Sequence, residues 1–427
     1  MAEESPRIVL PGCKSLSQRA LLLAAVADGE SVLRGVSDCE DSVHLQSCLA
    51  ALGADFLPQP DGSLRVRGIG GAPQGERALD VGEAGSSLRF LLPLCAAGQG
   101  SFVITGTPRL ISRPHGPLLD TLRELGAGIE EVEHAGRPGF RITASGLPAG
   151  TWPAPRGGSS QYWSGLAMAA AWSGGVELEL PAELPSRGYF ELTLEALRAF
   201  GGDAAWSEHP HASGSTLHLP SCAPQARVFQ VPGDPSGATF FLVALVALQT
   251  EAELSPDWSG LHPEAGLLQC LLEAGLLERV GQRWMATGFL PSAPLELHLD
   301  PAPDAGPALA VLGAFLPQGL IMHGVERLRA KESDRVHGVQ RLAELAGSAA
   351  RLEGDRLHVQ GGGIRPECAA AAPPFDPDQD HRMAMAAGVL QLLAPSLQIS
   401  DPACVAKSFP GFWTEIDKLR PRAPQPD

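Results

Sequence analysis

The segment RLRAKESDRVHG contains charged residues whose spacing suits proton transfer on an anionic ligand. Lys331 and Arg335 are four residues apart, so on a helix both would lie on one face. Two cations in that arrangement repel each other unless an anion lies between them. Glu332 follows Lys331 directly, and a carboxylate beside an ammonium group is a common pairing in general acid–base catalysis. The segment therefore predicts a site that binds an anion and moves protons.

More cations lie at the start of segments that are otherwise rich in Ala, Leu, Met and Val, and in polar turns. The former are Lys14, Arg19, Arg89 and Arg382, and the latter are Arg113 and Lys407. A cation at a helix N-terminus opposes the helix dipole, whereas an anion there accepts hydrogen bonds from free N–H groups. Together these cations indicate a ligand with more than one phosphate or carboxylate group.

The apolar segments form a series with spacings of 68 to 76 residues. Each is apolar enough to predict a helix that is buried nearly all round. We interpret the small or acidic residue at each opening as a helix N-cap. The six residues that mark the openings are Ser15, Ser86, Ser160, Ser236, Asp304 and Asp380.

A second series has the same period and consists of an amphipathic helix followed by two short strands. Glycine fits the end of each such helix, because that position commonly adopts a left-handed conformation. These glycines are Gly53, Gly126, Gly201, Gly275 and Gly347. The two series together predict six β-α-β-α-β-β repeats, three in each of two α/β domains, with buried helices inside a shell of sheets. The sixth copy, near FWTEIDKLR, has the helix without the following strands.

Length and charge exclude several classes of protein. A chain of 427 residues favours two domains, and a net charge of −16 argues against a protein that binds nucleic acid or an anionic membrane. No C-x-x-C pair, metal-ligand spacing or phosphate-binding G-x-x-x-x-G-K-[ST] loop occurs in the sequence, so we expect neither a metal nor a cofactor. The start of the sequence lacks the features of a signal peptide, and we expect a cytoplasmic monomer.

The sequence resembles the 5-enolpyruvylshikimate-3-phosphate (EPSP) synthase family, the 3-phosphoshikimate 1-carboxyvinyltransferases. The resemblance covers residues 11–413 and rests on PGCKSLSQR, GEAGSSLR, SRPHGPLLD, GSSQYWSGL, SRGYFEL, GDPSGATFF, PDAGPALA, AKESDR, QDHRMAMA and DPACVAKSFPGF. It implies a two-domain inside-out α/β barrel. One domain would comprise residues 1–11 and 232–427 and the other residues 12–231, with the active site in the cleft between them.

The resemblance also implies the reaction, which is transfer of the enolpyruvyl group of phosphoenolpyruvate to the 5-hydroxyl of shikimate-3-phosphate. Asp304 would accept the hydroxyl proton, Glu332 would deliver a proton to the methylene carbon, and Lys14 and Lys331 would assist. The residues implied for shikimate-3-phosphate are Lys14, Ser15, Arg19, Ser159, Ser160, Gln161, Ser186 and Tyr189. Those implied for phosphoenolpyruvate, and for the inhibitor glyphosate, are Lys14, Gly85, Arg113, Arg335, Arg382 and Lys407.

Three residues depart from the family pattern near this site. Glu83 stands where the family often has Asn, and its charge would weaken phosphoenolpyruvate binding unless it points away. Phe90 replaces the common proline, and Cys13 replaces a small Ser or Ala. None of them removes a proton donor or acceptor, so we expect effects on affinity more than on chemistry.

Two alternative functions remain open from the sequence. A UDP-N-acetylglucosamine enolpyruvyl transferase would share the fold and the donor. That family typically has a reactive Cys, sometimes Asp, on a mobile loop in the first half, but the loop here reads PRLISRPHG and no cysteine lies between Cys95 and Cys222. A non-catalytic phosphate-binding repeat protein would need the cations only. Asp304 and Glu332 argue against it, since buried carboxylates hinder anion binding.

Overall fold

The polypeptide folds into two compact units. The computed structural model describes residues 5–157, 159–202, 205–208 and 214–420. Unit one comprises Met1–Pro11 and Pro232–Asp427, and unit two comprises Gly12–Val231.

Short strands alternate with helices along the whole chain. The strands are β1 (Arg7–Val9), β2 (Glu30–Arg34), β3 (Asp55–Pro58), β4 (Leu64–Arg67), β5 (Gln74–Asp80), β6 (Gln99–Thr105), β7 (Gly128–His134), β8 (Arg137–Ser145), β9 (Gly150–Trp152), β10 (Val176–Pro181), β11 (Ala205–Glu208), β12 (Gly214–Leu219), β13 (Val228–Gln230), β14 (Glu251–Ser255), β15 (Leu277–Val280), β16 (Arg283–Ala286), β17 (Leu295–His298), β18 (Leu320–His323), β19 (Ala350–Glu353) and β20 (Arg356–Val359).

The helices follow the predicted alternation of buried and amphipathic segments. They are α1 (Lys14–Val26), α2 (Glu40–Ala51), α3 (Gly85–Ala96), α4 (Pro108–Ile111), α5 (Gly116–Glu124), α6 (Ser160–Ala169), α7 (Arg187–Ala199), α8 (Pro235–Leu248), α9 (Pro263–Glu273), α10 (Gly306–Phe315), α11 (Arg335–Leu345), α12 (Pro366–Ala370), α13 (His381–Leu393) and α14 (Phe412–Ile416). Among the described residues, none of these helices has the length and apolar character needed to cross a membrane.

The described strands form four-stranded sheets with one common topology. In the sheet ordered β5-β6-β8-β7, the first two strands are parallel and the remaining neighbours are antiparallel. The parallel pair is joined by a buried helix, and an amphipathic helix leads to the antiparallel hairpin. This is the β-α-β-α-β-β repeat that the sequence predicts, so the predicted α/β fold class is confirmed.

Two sheets take their first strand from a distant part of the sequence. Strand β1 pairs in parallel with β14, with Ile8 opposite Leu254, and so completes the first sheet of unit one. Strand β13 pairs in parallel with β2, with Phe229 opposite Leu33, and so completes the first sheet of unit two. Strand β1 thus comes from the short N-terminal segment of unit one, and β13 comes from the C-terminal end of unit two.

The sixth repeat is shorter than the others, as the sequence predicts. An isolated parallel bridge between Phe375 and Ile399 flanks α13 and takes the place of the parallel strand pair. Helix α14 follows, and within the part of the chain that the structure describes no hairpin comes after it. The last repeat therefore contributes mainly its buried helix.

One helix of each repeat lies in the centre of its unit. Helices α8, α10 and α13 of unit one pack against one another and are buried over almost their whole length. Helices α1, α3 and α6 of unit two are buried to the same degree. The sheets lie outside them, because an Ala- and Leu-rich helix has no polar face to present to water. This arrangement is the predicted inside-out barrel.

The predicted N-caps are correct in only one of six cases. Asp380 caps α13 by accepting a hydrogen bond from the Arg382 N–H. The other acidic or hydroxyl caps lie one or two residues before the predicted ones, at Ser159 and Asp234. Ser15, Ser86, Ser160 and Ser236 lie within the first helical turn, and Asp304 lies in the 3-10 helix Pro303–Ala305. Their side chains are therefore not used as caps.

The predicted helix-ending glycines have the expected conformation. Gly53, Gly126, Gly201, Gly275 and Gly347 all have positive φ, between 72° and 112°. A Cβ is unfavourable in that region, which explains why glycine recurs at the end of each amphipathic helix.

Replacement of Gly165 by Ala should destabilise unit two. A Cβ at Gly165 in α6 would lie 2.4 Å from the backbone oxygen of Arg89 in α3, so the two helices would have to separate. We expect a loss of about 1–3 kcal/mol in the free energy of unfolding, measured by urea denaturation. The control is Gly266→Ala in α9, where a Cβ meets nothing within 4 Å. That variant should gain about 0.5–1 kcal/mol, and equal effects of the two changes would contradict this packing argument.

Candidate active site

In unit two, Arg19 links the N-terminal halves of three helices. Its side chain is 3% exposed and donates to Thr193 Oγ1 at 2.8 Å, to Ser164 Oγ at 3.2 Å and to two backbone oxygens, those of Ser15 at 2.7 Å and Tyr189 at 2.8 Å. These bonds use four of the five guanidinium N–H groups, and one on Nη1 remains. Burial lowers the pKa of Arg19 to about 10, so it is still a cation at neutral pH.

The aromatic ring of Phe90 contacts the guanidinium of Arg19. The Cζ atom of Arg19 lies 5.1 Å from the centre of the Phe90 ring, and the ring is buried. A cation over an aromatic face is attracted by the ring quadrupole, and the attraction is stronger away from water. The departure at this position therefore supplies a contact to a predicted site residue that a proline could not make.

Helix α6 carries the predicted phosphate-binding residues at its beginning. Ser159 is the N-cap, and its Oγ accepts a hydrogen bond from the Gln161 N–H at 3.4 Å. Ser160 is buried in the first turn, and Gln161 Oε1 accepts from Arg89 Nη1 at 2.6 Å. Hydroxyl groups, a helix N-terminus and a nearby guanidinium are the usual components of a phosphate site.

Ser186 has a strained backbone at the start of α7. Its φ and ψ are both 49°, which is the left-handed region that non-glycine residues seldom occupy. The residue is buried, and its carbonyl accepts a hydrogen bond from the Tyr189 N–H at 3.0 Å. Strain of this kind is concentrated at ligand sites, so it agrees with a binding role for Ser186.

Lys14 begins α1 and forms an ion pair with Asp41 of α2. Lys14 Nζ lies 2.9 Å from Asp41 Oδ2, and the two side chains are 17% and 6% exposed. Asp41 was not predicted as a site residue, because it lies in a segment without a recognisable motif. The pair fixes the position of the ammonium group next to the other polar residues of α1.

Gly85 and Arg113 are neighbours. A Cβ at Gly85, the first residue of α3, would lie 3.0 Å from Arg113 Nη1. The carboxylate of Glu83, whose charge was expected to weaken anion binding unless it points away, accepts a hydrogen bond from Thr107 Oγ1 at 3.4 Å. One oxygen of Glu83 is therefore directed at the N-cap residue of α4.

In unit one, Arg335 is fully buried and bonded to three carboxylates. Its Nη1 lies 2.8 Å from Asp304 Oδ1, and its Nη2 lies 2.9 Å from Glu332 Oε2. Asp380 receives two bonds, from Nε to Oδ2 at 2.8 Å and from Nη2 to Oδ1 at 3.2 Å. Asp380 binds the guanidinium through a fork of two parallel hydrogen bonds. Burial alone would lower the pKa of Arg335, but the charges of the three carboxylates outweigh it and hold the pKa above the ordinary value.

Asp304 is surrounded by cations. Lys331 Nζ lies 3.0 Å from its Oδ1, and Arg382 Nη2 lies 3.8 Å from its Oδ2, in addition to the Arg335 contact. Burial favours the neutral acid, but these three charges outweigh it and hold the pKa of Asp304 well below its usual range. Stabilisation from this ionisation is complete above the ordinary pKa of Asp and is lost only as the pH falls through the lowered value.

Arg382 has donor groups that the protein leaves unused. It is 2% exposed, and within the described residues its Nε and Nη1 have no hydrogen-bond partner. Buried donors are seldom left unpaired, and an anionic ligand is the natural partner for a guanidinium. Lys407 is also buried, at the end of the 3-10 helix Pro402–Lys407, which packs against α13.

The structure brings most of the predicted site residues of unit one into one group. The unit-one group, which we call the carboxylate–cation cluster, consists of Asp304, Lys331, Glu332, Arg335, Asp380 and Arg382. Asp380 was expected only as a cap, and its contact with Arg335 could not be read from the sequence. The carboxylates of this cluster are already bonded to guanidinium or ammonium groups, which makes them poor ligands for a metal ion.

Comparisons with known proteins agree with the fold and the motifs. The sequence profile of the family described as EPSP synthase (3-phosphoshikimate 1-carboxyvinyltransferase) matches residues 5–416. The chain is 30% identical over 423 residues to the 3-phosphoshikimate 1-carboxyvinyltransferase of Vibrio atlanticus, with 97% of each chain covered. It is 32% identical over 425 residues to that of Pseudomonas syringae pv. syringae, with 97% of this chain and 94% of the relative covered.

Solved structures show the same relationship. EPSP synthase from Acinetobacter baumannii superposes with a TM-score of 0.75 at 25% identity, covering 98% of this chain and 97% of that one. The enolpyruvyl transferase NikO from Streptomyces tendae shares the fold, with a TM-score of 0.72 at 17% identity over 97% of this chain and 94% of that one. From its sequence profile, its relatives and its fold, the chain belongs to the EPSP synthase family.

Proposed function

We propose that this protein transfers the enolpyruvyl group of phosphoenolpyruvate to the 5-hydroxyl of shikimate-3-phosphate and releases inorganic phosphate. The reaction is a step of the shikimate pathway, which leads to the aromatic amino acids. The observation that carries the proposal is the placement of Asp304 and Glu332 on either side of buried Arg335, 2.8 Å and 2.9 Å from its nitrogens. Two carboxylates beside a fixed cation suit a reaction that moves two protons on an anion.

The proposed chemistry is an addition followed by an elimination. The 5-hydroxyl oxygen bonds to C2 of phosphoenolpyruvate, its proton passes to Asp304, and protonated Glu332 gives a proton to C3. The resulting tetrahedral intermediate then loses phosphate. Glu332 takes a proton back from C3 as the double bond re-forms, and the proton on Asp304 leaves with the phosphate. Both carboxyl groups thus return to their starting states.

Residues of unit two are proposed to bind shikimate-3-phosphate. Ser159, Ser160 and Ser186 would bind its phosphate, with Gln161 and Tyr189 nearby. Ser15, Arg19 and Lys14 would bind the shikimate part, with Arg19 at its carboxylate. Since Arg19 already makes four hydrogen bonds within the protein, it can offer the substrate carboxylate one N–H and its charge. We therefore expect Arg19 to orient the carboxylate through one hydrogen bond rather than to bind it through two parallel hydrogen bonds.

Phosphoenolpyruvate is proposed to bind Arg335, Arg382 and Lys407 of unit one and Gly85, Arg113 and Lys14 of unit two. Nε and Nη1 of Arg382, which have no hydrogen-bond partner among the described residues, are donors available to the anionic groups of the substrate. An anion that takes part of the charge of Arg335, Arg382 and Lys331 removes the cause of the low pKa of Asp304. Asp304 then becomes a better base when the substrate is bound than in the ligand-free protein.

The experiment that tests the function is the release of inorganic phosphate when the purified protein is mixed with shikimate-3-phosphate and phosphoenolpyruvate. Release that requires both compounds supports the proposal. Release with UDP-N-acetylglucosamine in place of shikimate-3-phosphate supports the alternative transferase, and no release in either mixture supports a binding protein. The family match over residues 5–416 favours the first result.

Gly85→Ala should weaken inhibition by glyphosate far more than binding of phosphoenolpyruvate. The new methyl group would lie 3.0 Å from Arg113 Nη1, and glyphosate, which is longer than phosphoenolpyruvate, has less room to adjust. We expect wild-type inhibition to be competitive with phosphoenolpyruvate, and the inhibition constant and KM are to be measured together. Glu83→Asn is the control for charge, because it should change the affinities for glyphosate and phosphoenolpyruvate in the same direction. Unchanged glyphosate inhibition in Gly85→Ala would contradict the placement of this loop.

A further inference from the structure

Two buried aromatic side chains hydrogen-bond to the backbone of the segment that carries Arg113. It includes α4 and the four residues that follow it, and Arg113 itself is half-buried. Two side chains that neither the sequence pattern nor the family resemblance assigned to the site bond to its backbone. They are His115, within the segment, and Tyr162, on helix α6.

His115 forms a hydrogen bond within this segment. The residue is 2% exposed, and its Nε2 lies 2.8 Å from the backbone oxygen of Leu110. Burial is the main cause that lowers the pKa of His115 to about 4, and the nearby charges of Arg89 and Arg113 lower it further. The ring is therefore neutral at physiological pH, and Nε2 carries the proton that it donates to the carbonyl.

Tyr162 of α6 forms a hydrogen bond to the segment from a different helix. Its side chain is 1% exposed, and its hydroxyl donates to the backbone oxygen of Pro114, the residue after Arg113, at 2.5 Å. The Cζ atom of Arg89 lies 5.5 Å from the centre of the Tyr162 ring. Tyr162 directly follows Gln161, so the same turn of α6 contains proposed phosphate-binding residues and the anchor of the Arg113 segment.

We infer that Tyr162 is a positioning residue for Arg113, which it joins to the helix that begins with Ser160. Its hydroxyl fixes the backbone next to Arg113, and its ring is fixed by burial and by Arg89. The consequence is that the backbone that carries Arg113 is held in place before phosphoenolpyruvate arrives. This inference rests on the proposed function, because it assigns Arg113 to the binding of phosphoenolpyruvate.

The test is a pair of single variants and their combination. Tyr162→Phe keeps the buried ring and removes one hydrogen bond. From the usual contribution of such a bond we expect an increase of about 3- to 10-fold in KM for phosphoenolpyruvate, with KM for shikimate-3-phosphate changed by less than about twofold. In the Arg113→Met background the same change should have almost no further effect, because residues that act through one another are not additive.

A matched control separates positioning from general loss of packing. Trp163 is the next residue of α6 and is fully buried, and Trp163→Phe should lower the melting temperature without changing the ratio of the two KM values. An unchanged KM for phosphoenolpyruvate in Tyr162→Phe, or the same increase with and without Arg113, would overturn the inference. Absence of phosphate release in the wild-type protein would instead overturn the proposed function, so the two failures are distinct.

Discussion

Asp304→Asn should reduce turnover by at least about 10²-fold, the usual contribution of a general base. Asn has the same size and can still accept a hydrogen bond from Arg335 or Lys331, so the shape of the carboxylate–cation cluster is kept. It cannot accept the proton of the substrate hydroxyl. Binding of shikimate-3-phosphate should therefore be nearly normal while the rate falls, and both are to be measured by titration and by phosphate release.

The control for this variant is Asp355→Asn, the same chemical change at an exposed position in the same unit. It should leave turnover within about twofold of wild type. Turnover of Asp304→Asn close to that of the control would remove Asp304 from the mechanism. A large loss of shikimate-3-phosphate affinity would instead indicate a role in binding.

Asp380→Ala should lower the free energy of unfolding by about 3 kcal/mol. The change removes both bonds of the Asp380–Arg335 fork and the cap on Arg382 N, and it leaves the fully buried Arg335 with Asp304 and Glu332 only. Removing one partner of a buried ion pair costs about 3–5 kcal/mol, and the two remaining carboxylates place this case at the lower end. Denaturation by urea, followed by tryptophan fluorescence, measures the change.

Asp417→Ala provides the comparison, since it breaks the exposed pair between Asp417 and Arg420. Exposed pairs contribute little, so its stability should stay within about 0.5 kcal/mol of wild type. The free energy of unfolding of Asp380→Asn should lie between those of the two alanine variants, because the amide retains one acceptor oxygen. Equal stability of Asp380→Ala and Asp417→Ala would show that the fork does not stabilise unit one.

The sequence was sufficient to predict the repeats because their signals are local. Six apolar helices and five glycines at helix ends recur at one period, and each signal depends only on nearby residues. The predicted caps failed because the cap is set by the conformation of one residue. In two repeats it lies just before the chosen marker, at Ser159 rather than Ser160 and at Asp234 rather than Ser236.

The partners of the site residues were harder to predict for a different reason. The pair of Lys14 with Asp41 and the fork of Arg335 with Asp380 join residues that are brought close only by the packing of helices. From the sequence, Tyr162 could be predicted only to lie in a buried helix. Its bond to Pro114 could not be predicted, because it depends on how α6 packs against the segment that carries Arg113. The charged residues could thus be identified from their types, but not the groups that hold them.

The pairing of β1 with β14 affects how the protein folds during synthesis. Ser5 and Glu251, which share a hydrogen bond at this end of unit one, are 246 residues apart. At about 5–20 residues per second, the ribosome needs tens of seconds to make the intervening chain. Unit two is continuous and can complete its sheets in that time, whereas Ile8 and the edges of β1 remain exposed to water until β14 emerges. The growing chain therefore carries an unpaired strand, the kind of segment that chaperones bind, throughout the production of unit two.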